Sequence, residues 1–324
     1  MTGHIEVWHL VLLSLFLGSV NAFDMPARQS FVVEMVESKK DLGNAIALNS
    51  FMFNSARLIG PSIAGLLVGA IGEGPCFLLN AVSFLAIIAT LLAMRITKQK
   101  RTTESASLFH GLKEGYRYIL GSPPILYILL LLALVSLAGM PYMVLMPIFA
   151  RDILHGGPHT LGFLMGASGV GALIGALYLA SRKSVLGLGR LIVIASGIFG
   201  AGLIGFSFSH YLPLSLFILL VTGFGMIVQM ASSNTILQTI ADEDKRGRVM
   251  SSYTMAFGGM VPFGSIMAGS LASRIGAPHT LMIGGIICII GSLLFLTKLP
   301  LIRQAARPLY VKMGIIREMP VEIQ

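Results

Sequence analysis

Of the 324 residues, 55% are hydrophobic and only 11% are charged, with a mean hydropathy of +0.83. A soluble domain carries about 25% charged residues, so this composition excludes one and reads as an integral membrane protein. The net charge of +9 does not indicate a nucleic-acid partner, because the basic residues flank apolar runs instead of gathering in one patch.

Crossing a bilayer takes roughly 20 apolar residues at ~1.5 Å each. Runs of that length fall at 8–35, 44–71, 75–94, 125–150, 160–181, 190–209, 212–238, 250–273 and 279–299, so nine membrane helices are expected. The start of the chain has no basic region, and no small-residue cleavage site follows the first run, so a cleavable signal peptide is not expected. Inside the first run Asp24 and Arg28 stand one helical turn apart, with Pro26 between them. One reading is a proton-responsive ion pair, since a partly buried carboxylate beside a cation changes protonation as water access alternates. The other is a structural pair that locks the inner end of the helix. Glu34 and Glu37 read as interfacial and solvated.

The second run holds the sequence's densest mixture of polar and helix-shaping residues. Ser50, Asn54, Arg57 and Pro61 follow at i, i+4, i+7 and i+11, which puts them on one helical face. Arg57 lies roughly 20–24 Å from the cytoplasmic end of its helix, too deep to reach that surface easily. Its planar donor fork suits an anionic substrate or an internal carboxylate, or else a helix-to-helix structural pair. Gly60 and Gly65 let a neighbouring helix approach closely, and Pro61 removes a backbone donor and bends the helix. Asn49, Asn54 and Asn80 read either as cavity lining or as bonds to neighbouring helices, and Gln229, Asn234 and Gln238 are comparable in the second half. The 18 methionines supply either an adaptable apolar wall or ordinary packing and lipid-facing surface.

Between the third and fourth runs, residues 108–120 alternate apolar and charged groups at helical spacing. This reads as an amphipathic helix on the inner membrane surface, with partner binding as the other possibility. The expected organisation is a three-helix bundle at 1–95, a cytoplasmic linker at 96–124, a six-helix bundle at 125–300 and a cytoplasmic tail at 301–324. Shifting the chain by 204 residues superposes Gly43 on Gly247, Ala64-Gly65 on Ala268-Gly269 and Ile71-Gly72 on Ile275-Gly276. Parallel repeats of this kind mark transporters, with the substrate site between the repeats near the midplane.

Loop charge sets the orientation. Alternating connections place Lys39, Lys40, six basic residues between Arg95 and Arg117, Arg182, Lys183, Arg190, Lys245, Arg246, Arg248 and five from Lys298 to Arg317 on one side, nineteen in all. The other side receives Arg151 and Arg274 alone. The rich side is expected to be cytoplasmic, with Met1 outside and Gln324 inside. Cys76 and Cys288 both lie in apolar runs and read as small buried hydrophobes, and the seven histidines show no helical pairing, so neither a disulfide framework nor a metal site is expected. No cofactor is indicated. No paired carboxylates, His cluster or nucleophile-base spacing appears in the spans, so an enzyme is not expected.

Residues 18–94 carry a resemblance. Gly18, the segment from Asn21 to Phe31, Asn44 to Ser50, Phe53-Asn54, Ala56-Arg57, Gly60-Pro61, Ala64-Gly65 and Leu79 to Phe84 resemble the major facilitator superfamily, in the branch that contains the enterobactin exporter and the transmembrane secretion effectors. The remainder matches in helix count and loop charge. Gly60-Pro61-x-x-Ala64-Gly65 is similar to the fifth-helix antiporter motif of exporters in that superfamily, with Ala64 where the motif usually shows a glycine. The resemblance implies an all-α polytopic fold in a cell membrane, equivalent to helices four to twelve of twelve, the first three being absent. It implies export of a small molecule, such as a siderophore, drug or other amphipathic compound, in exchange for protons, by rocking of two bundles. The unequal bundles leave a second expectation open: a truncated, non-transporting fragment or membrane scaffold, or a chain completed by a partner chain that supplies the missing helices.

Overall fold

The computed structural model describes residues 71–94, 116–182, 186–242 and 245–312, together with 8, 9, 12, 13, 15–20, 24, 52 and 67. Every regular element among them is helical. Seven of these helical stretches are long and apolar enough to cross a membrane: Gly74–Ala93, Pro123–Ile153, Pro158–Ala180, Leu188–Ser207, Leu212–Ile240, Arg246–Ile275 and Ala277–Gln304. They coincide, within a few residues at most ends, with the last seven of the nine expected runs. The runs at 8–35 and 44–71 fall largely outside the described residues.

The chain divides into two compact units, Met1–Gly60 with Leu67–Glu104, and Pro61–Leu66 with Ser105–Gln324. In the first unit, α1 (Glu73–Ala93) starts after Gly72, whose φ of 82° is open to glycine at little cost, and stops where Met94 turns extended. Phe77, Leu85 and Leu92 are exposed on it, as suits side chains in contact with lipid.

The second unit opens with residues 116–121, which are helical; the rest of the expected amphipathic segment lies outside the described residues. In α2 (Pro123–Ala138) the two leading prolines occupy positions whose amides have no helical partner anyway. Its sequence carries no charge and is apolar on every face, the pattern of a membrane span. After a turn at Gly139 the chain re-enters α3 (Tyr142–Ile148) and passes into a π-helical turn, Phe149–Ile153. Pro158 opens α4 (Pro158–Ala180), left-handed Gly187 precedes α5 (Leu188–Ser207), and Pro213 sits in the first turn of α6 (Leu212–Ile240). The next span is built from α7 (Arg246–Thr254), a second π-helical turn (Met255–Gly259) and α8 (Met260–Ile275). Pro262 lacks the N–H that would bond the carbonyl of Gly258, and the π turn lies over that gap. Finally α9 (Ala277–Lys312) runs for 36 residues, beyond the last apolar run and into the segment expected as tail.

One pair of positions matched by the expected repeat has similar backbone angles. Gly72, just before α1, has φ 82° and ψ 173°, and Gly276, just before α9, has φ 85° and ψ 156°. These positions are 204 residues apart, the expected shift.

Apolar helices in lipid gain little from hiding apolar surface from each other, so close packing and interhelical hydrogen bonds must hold them. The second unit shows both. A Cβ on Gly171 of α4 would strike the carbonyl of Leu220 of α6, and one on Gly223 of α6 would strike the carbonyl of Ser168 of α4. On its other side, α6 brings Gly225 against the backbone of Ala195 and Phe199 in α5. Gly200 of α5 and Gly285 of α9 face each other in the same way, Gly284 of α9 meets Ala138 of α2, and Gly264 of α8 meets Leu137 of α2. Around this framework Phe149 stacks on Phe206 at 4.6 Å between ring centroids. Ser292 of α9 donates to the carbonyl of Val193 in α5 at 2.7 Å.

Candidate functional site

Of the residues singled out from the sequence, Asp24 is helical and exposed. Arg28, Asn49, Asn54, Arg57, Gly60, Pro61 and Gly65 lie outside the described residues, so the polar face of the second run is not part of the geometry that follows. Among the described residues, the polar interior belongs to the second unit and is centred on α6.

Gln229, Ser232 and Ser233 lie on one side of α6 at i, i+3 and i+4, and all three are buried. The Ser233 hydroxyl donates to the carbonyl of Gln229 at 2.8 Å. The Gln229 amide nitrogen and the Ser232 hydroxyl have no hydrogen-bond partner among the described residues. A buried polar group left in this state costs on the order of 1–3 kcal/mol. The comparable residues named from the sequence do not join them. Asn234 is half-buried and Gln238 exposed, and the Gln238 amide donates to Asn234 one turn away. At 3.6 residues per turn they lie roughly 140° and 180° round the helix from Gln229.

A second polar point sits where α3, α4, α5 and α6 meet. Tyr142, only 1% exposed, places its hydroxyl 2.9 Å from that of Ser168 and 4.0 Å from the sulfur of Met226. Its ring meets Phe199 edge to face, with centroids 6.0 Å apart. Neither Tyr142 nor Ser168 is among the residues expected from the sequence, although a tyrosine hydroxyl inside an apolar run is a signal, since it needs a partner when buried. Methionine serves as packing and as outer surface: Met146 and Met226 lie in the core, whereas Met255 and Met267 are exposed.

Four further bonds tie α6, α7 and their neighbours together. Tyr253 of α7 donates to the carbonyl of Met230 in α6 at 3.1 Å. Ser136 of α2 donates to the carbonyl of Phe257 in the π turn. Tyr118 donates to the Asp242 carboxylate at 3.1 Å and accepts from its backbone N–H at 3.2 Å. At the α4–α5 connection, Arg182 donates to the Tyr178 hydroxyl at 3.3 Å and to the carbonyl of Leu186 at 2.8 Å. The Arg151–Asp152 pair, 3.9 Å apart with both side chains exposed, adds little because water screens it.

The chemistry this arrangement offers is hydroxyl and amide recognition within an apolar bundle. Among the described residues no three His, Cys, Asp or Glu side chains come together. Within the six spans of the second unit the sequence has one acidic residue, Asp152, at the end of its π turn.

A family model described as transmembrane secretion effector matches residues 1–312. The chain is 27% identical over 285 residues to the staphyloferrin A transporter of Staphylococcus aureus (strain NCTC 8325 / PS 47), covering 86% of this chain and 70% of that protein. It is also 27% identical over 293 residues to the multidrug efflux pump Tap of Mycolicibacterium fortuitum, covering 86% of this chain and 69% of that one. Among solved structures, a bacterial homolog of the human lysosomal transporter Spinster, in an inward-facing and unoccupied conformation, aligns with a TM-score of 0.46 and 14% identity, covering 87% of this chain and 74% of that chain.

Proposed function

The chain belongs to the transmembrane secretion effector family of major facilitator transporters, and from that premise we propose that it exports a small amphipathic compound, of siderophore or drug type, in exchange for protons. The observation that carries this reading is the family match across residues 1–312; relatives named as a staphyloferrin A transporter and a multidrug efflux pump support the substrate class. The location proposed is the inner membrane, multi-pass, with the C-terminus cytoplasmic, on the strength of the loop-charge bias.

In this reading Asp24 is the proton carrier, because it is the acidic residue set deepest in an apolar run. Arg28, one turn on in the same run, would be its ion-pair partner. Arg57 would hold an anionic group of the substrate through its donor fork. Asn49 and Asn54 would add directional hydrogen bonds. Gly60, Pro61 and Gly65 would give the same helix the bend and close approach that rocking requires. The test is efflux of a fluorescent hydrophobic dye, and of unlabelled citrate-type and catecholate siderophores, from cells that express the protein. Efflux is expected to collapse when a protonophore dissipates the proton gradient and to be lost in Asp24→Asn. Efflux of the dye or of either siderophore that survives the protonophore would overturn the coupling, and absence of efflux for all of them would overturn the substrate class.

A further inference from the structure

A groove of about 790 Å³ runs between α2, α8 and α9. Its floor is backbone, because Gly264 of α8 lies against Leu137 and Gly284 of α9 against Ala138. Leu134, Met267 and Ile287 stand among its apolar walls. Its polar lining residues, Ser270, Arg274 and Thr280, all belong to the last two turns of α8 or the first turn of α9, which Gly276 joins. The Thr280 hydroxyl is already committed to the carbonyl of Gly276 at 2.9 Å. Arg274 is exposed in the last turn of α8 and has no ion-pair partner among the described residues.

The groove is therefore sorted by depth, with a free guanidinium at the end of a span and apolar surface from there inward. From Arg274 back to Met260 the helix rises roughly 21 Å at 1.5 Å per residue, enough for the acyl chains of one leaflet, half of a hydrocarbon core about 30 Å thick. We propose that this groove is a phospholipid site, with acyl chain along α8 and phosphate on Arg274, and that it favours lipids of net negative headgroup. The charge complementarity is that of an arginine fork and a phosphate. Neutral backbone and small side chains along the floor leave room for the chain without any polar group to desolvate.

The experiment uses the whole chain in nanodiscs of phosphatidylcholine doped with phosphatidylglycerol that carries a photoactivatable diazirine in its acyl chain. Label is expected in peptides that contain residues 133–138 and 264–271. Replacing Arg274 by Gln is expected to lower that label on the order of fivefold, the effect of one basic residue near anionic lipid. Arg274→Lys should retain most of it, and a diazirine phosphatidylcholine should label the groove weakly. Arg274 is exposed, so folding is not at stake in these variants. Label that ignores both the headgroup and Arg274 would reduce the groove to ordinary lipid-facing surface. Groove peptides left unlabelled, or cross-linked to a second copy of the chain, would assign the surface to protein. The readout is labelling and not transport, so it stands or falls separately from the proposed export.

Discussion

Tyr142 shows what one residue contributes inside a membrane bundle. Its hydroxyl and that of Ser168, 2.9 Å apart and both buried, join the span containing α2 and α3 to α4. Tyr142→Phe is expected to cost about 1 kcal/mol, read as a lowered unfolding temperature in detergent. Ser168→Ala should add little on top of it, because both changes remove the same bond; full additivity would show that the two hydroxyls do not interact. Gln229 is the converse case. Its amide nitrogen is buried without a partner, so Gln229→Leu should leave stability unchanged or raise it. Loss of transport in that stable variant would show that the amide is kept for function. On the proposed pathway, Arg57→Ala is expected to abolish export while membrane insertion persists, since removing a mid-membrane cation eases insertion. Arg57→Lys should restore export only in part if the planar fork matters. Normal export by both variants would make Arg57 a structural residue. The chemical suspicion of Arg57 was legible from depth and charge alone; for Tyr142 the sequence signals that a buried hydroxyl needs a partner, but not that the partner is Ser168.

Between elements, glycine decides which helices touch. A side chain at Gly223 meets the α4 backbone, whereas one at Gly205 meets only Ile218 methyl groups at 3.7 Å. Gly223→Ala should therefore cost roughly 1–3 kcal/mol through forced separation of α4 and α6, while Gly205→Ala should be tolerated; equal melting temperatures for the two variants would refute the contrast. The spans themselves carry the orientation. Reporter fusions near Lys100, Arg182 and Lys245 are expected to report the cytoplasm, and those near His155 and His210 the outside. Reversal at two of these positions would dismantle the alternation. The positive-φ glycines at 72 and 276 stand 204 residues apart, the shift of the repeat, and place a similar joint ahead of α1 and of α9.

At the scale of the molecule, acidic residues are distributed unevenly. The spans after residue 75 hold no carboxylate between their ends, whereas the first run holds Asp24. Recognition and proton handling would then be divided, with hydroxyl and amide groups in the second unit and charged groups in the first. A protease site inserted after Thr102, in the basic connection between α1 and α2, tests this division at its seam. Cleavage should occur from the cytoplasmic face only, and both pieces should remain in the membrane.

Bilayer physics explains how far the sequence could be read. A span needs only length and apolarity, and sidedness needs only basic loops, so the described helices, their ends and the α1/α9 repeat followed from composition along the chain. Faces did not. In water an amphipathic stripe announces the buried side, but α2 is apolar all round, α6 carries polar residues on more than one side, and lipid accepts either face. Tertiary structure alone decided that Gln229 points into the bundle while Gln238 stays outside, that Tyr142 finds Ser168, and that α4 and α6 meet at Gly171 and Gly223. Those choices rest on backbone approach within an ångström or so, which no pattern of hydrophobicity encodes.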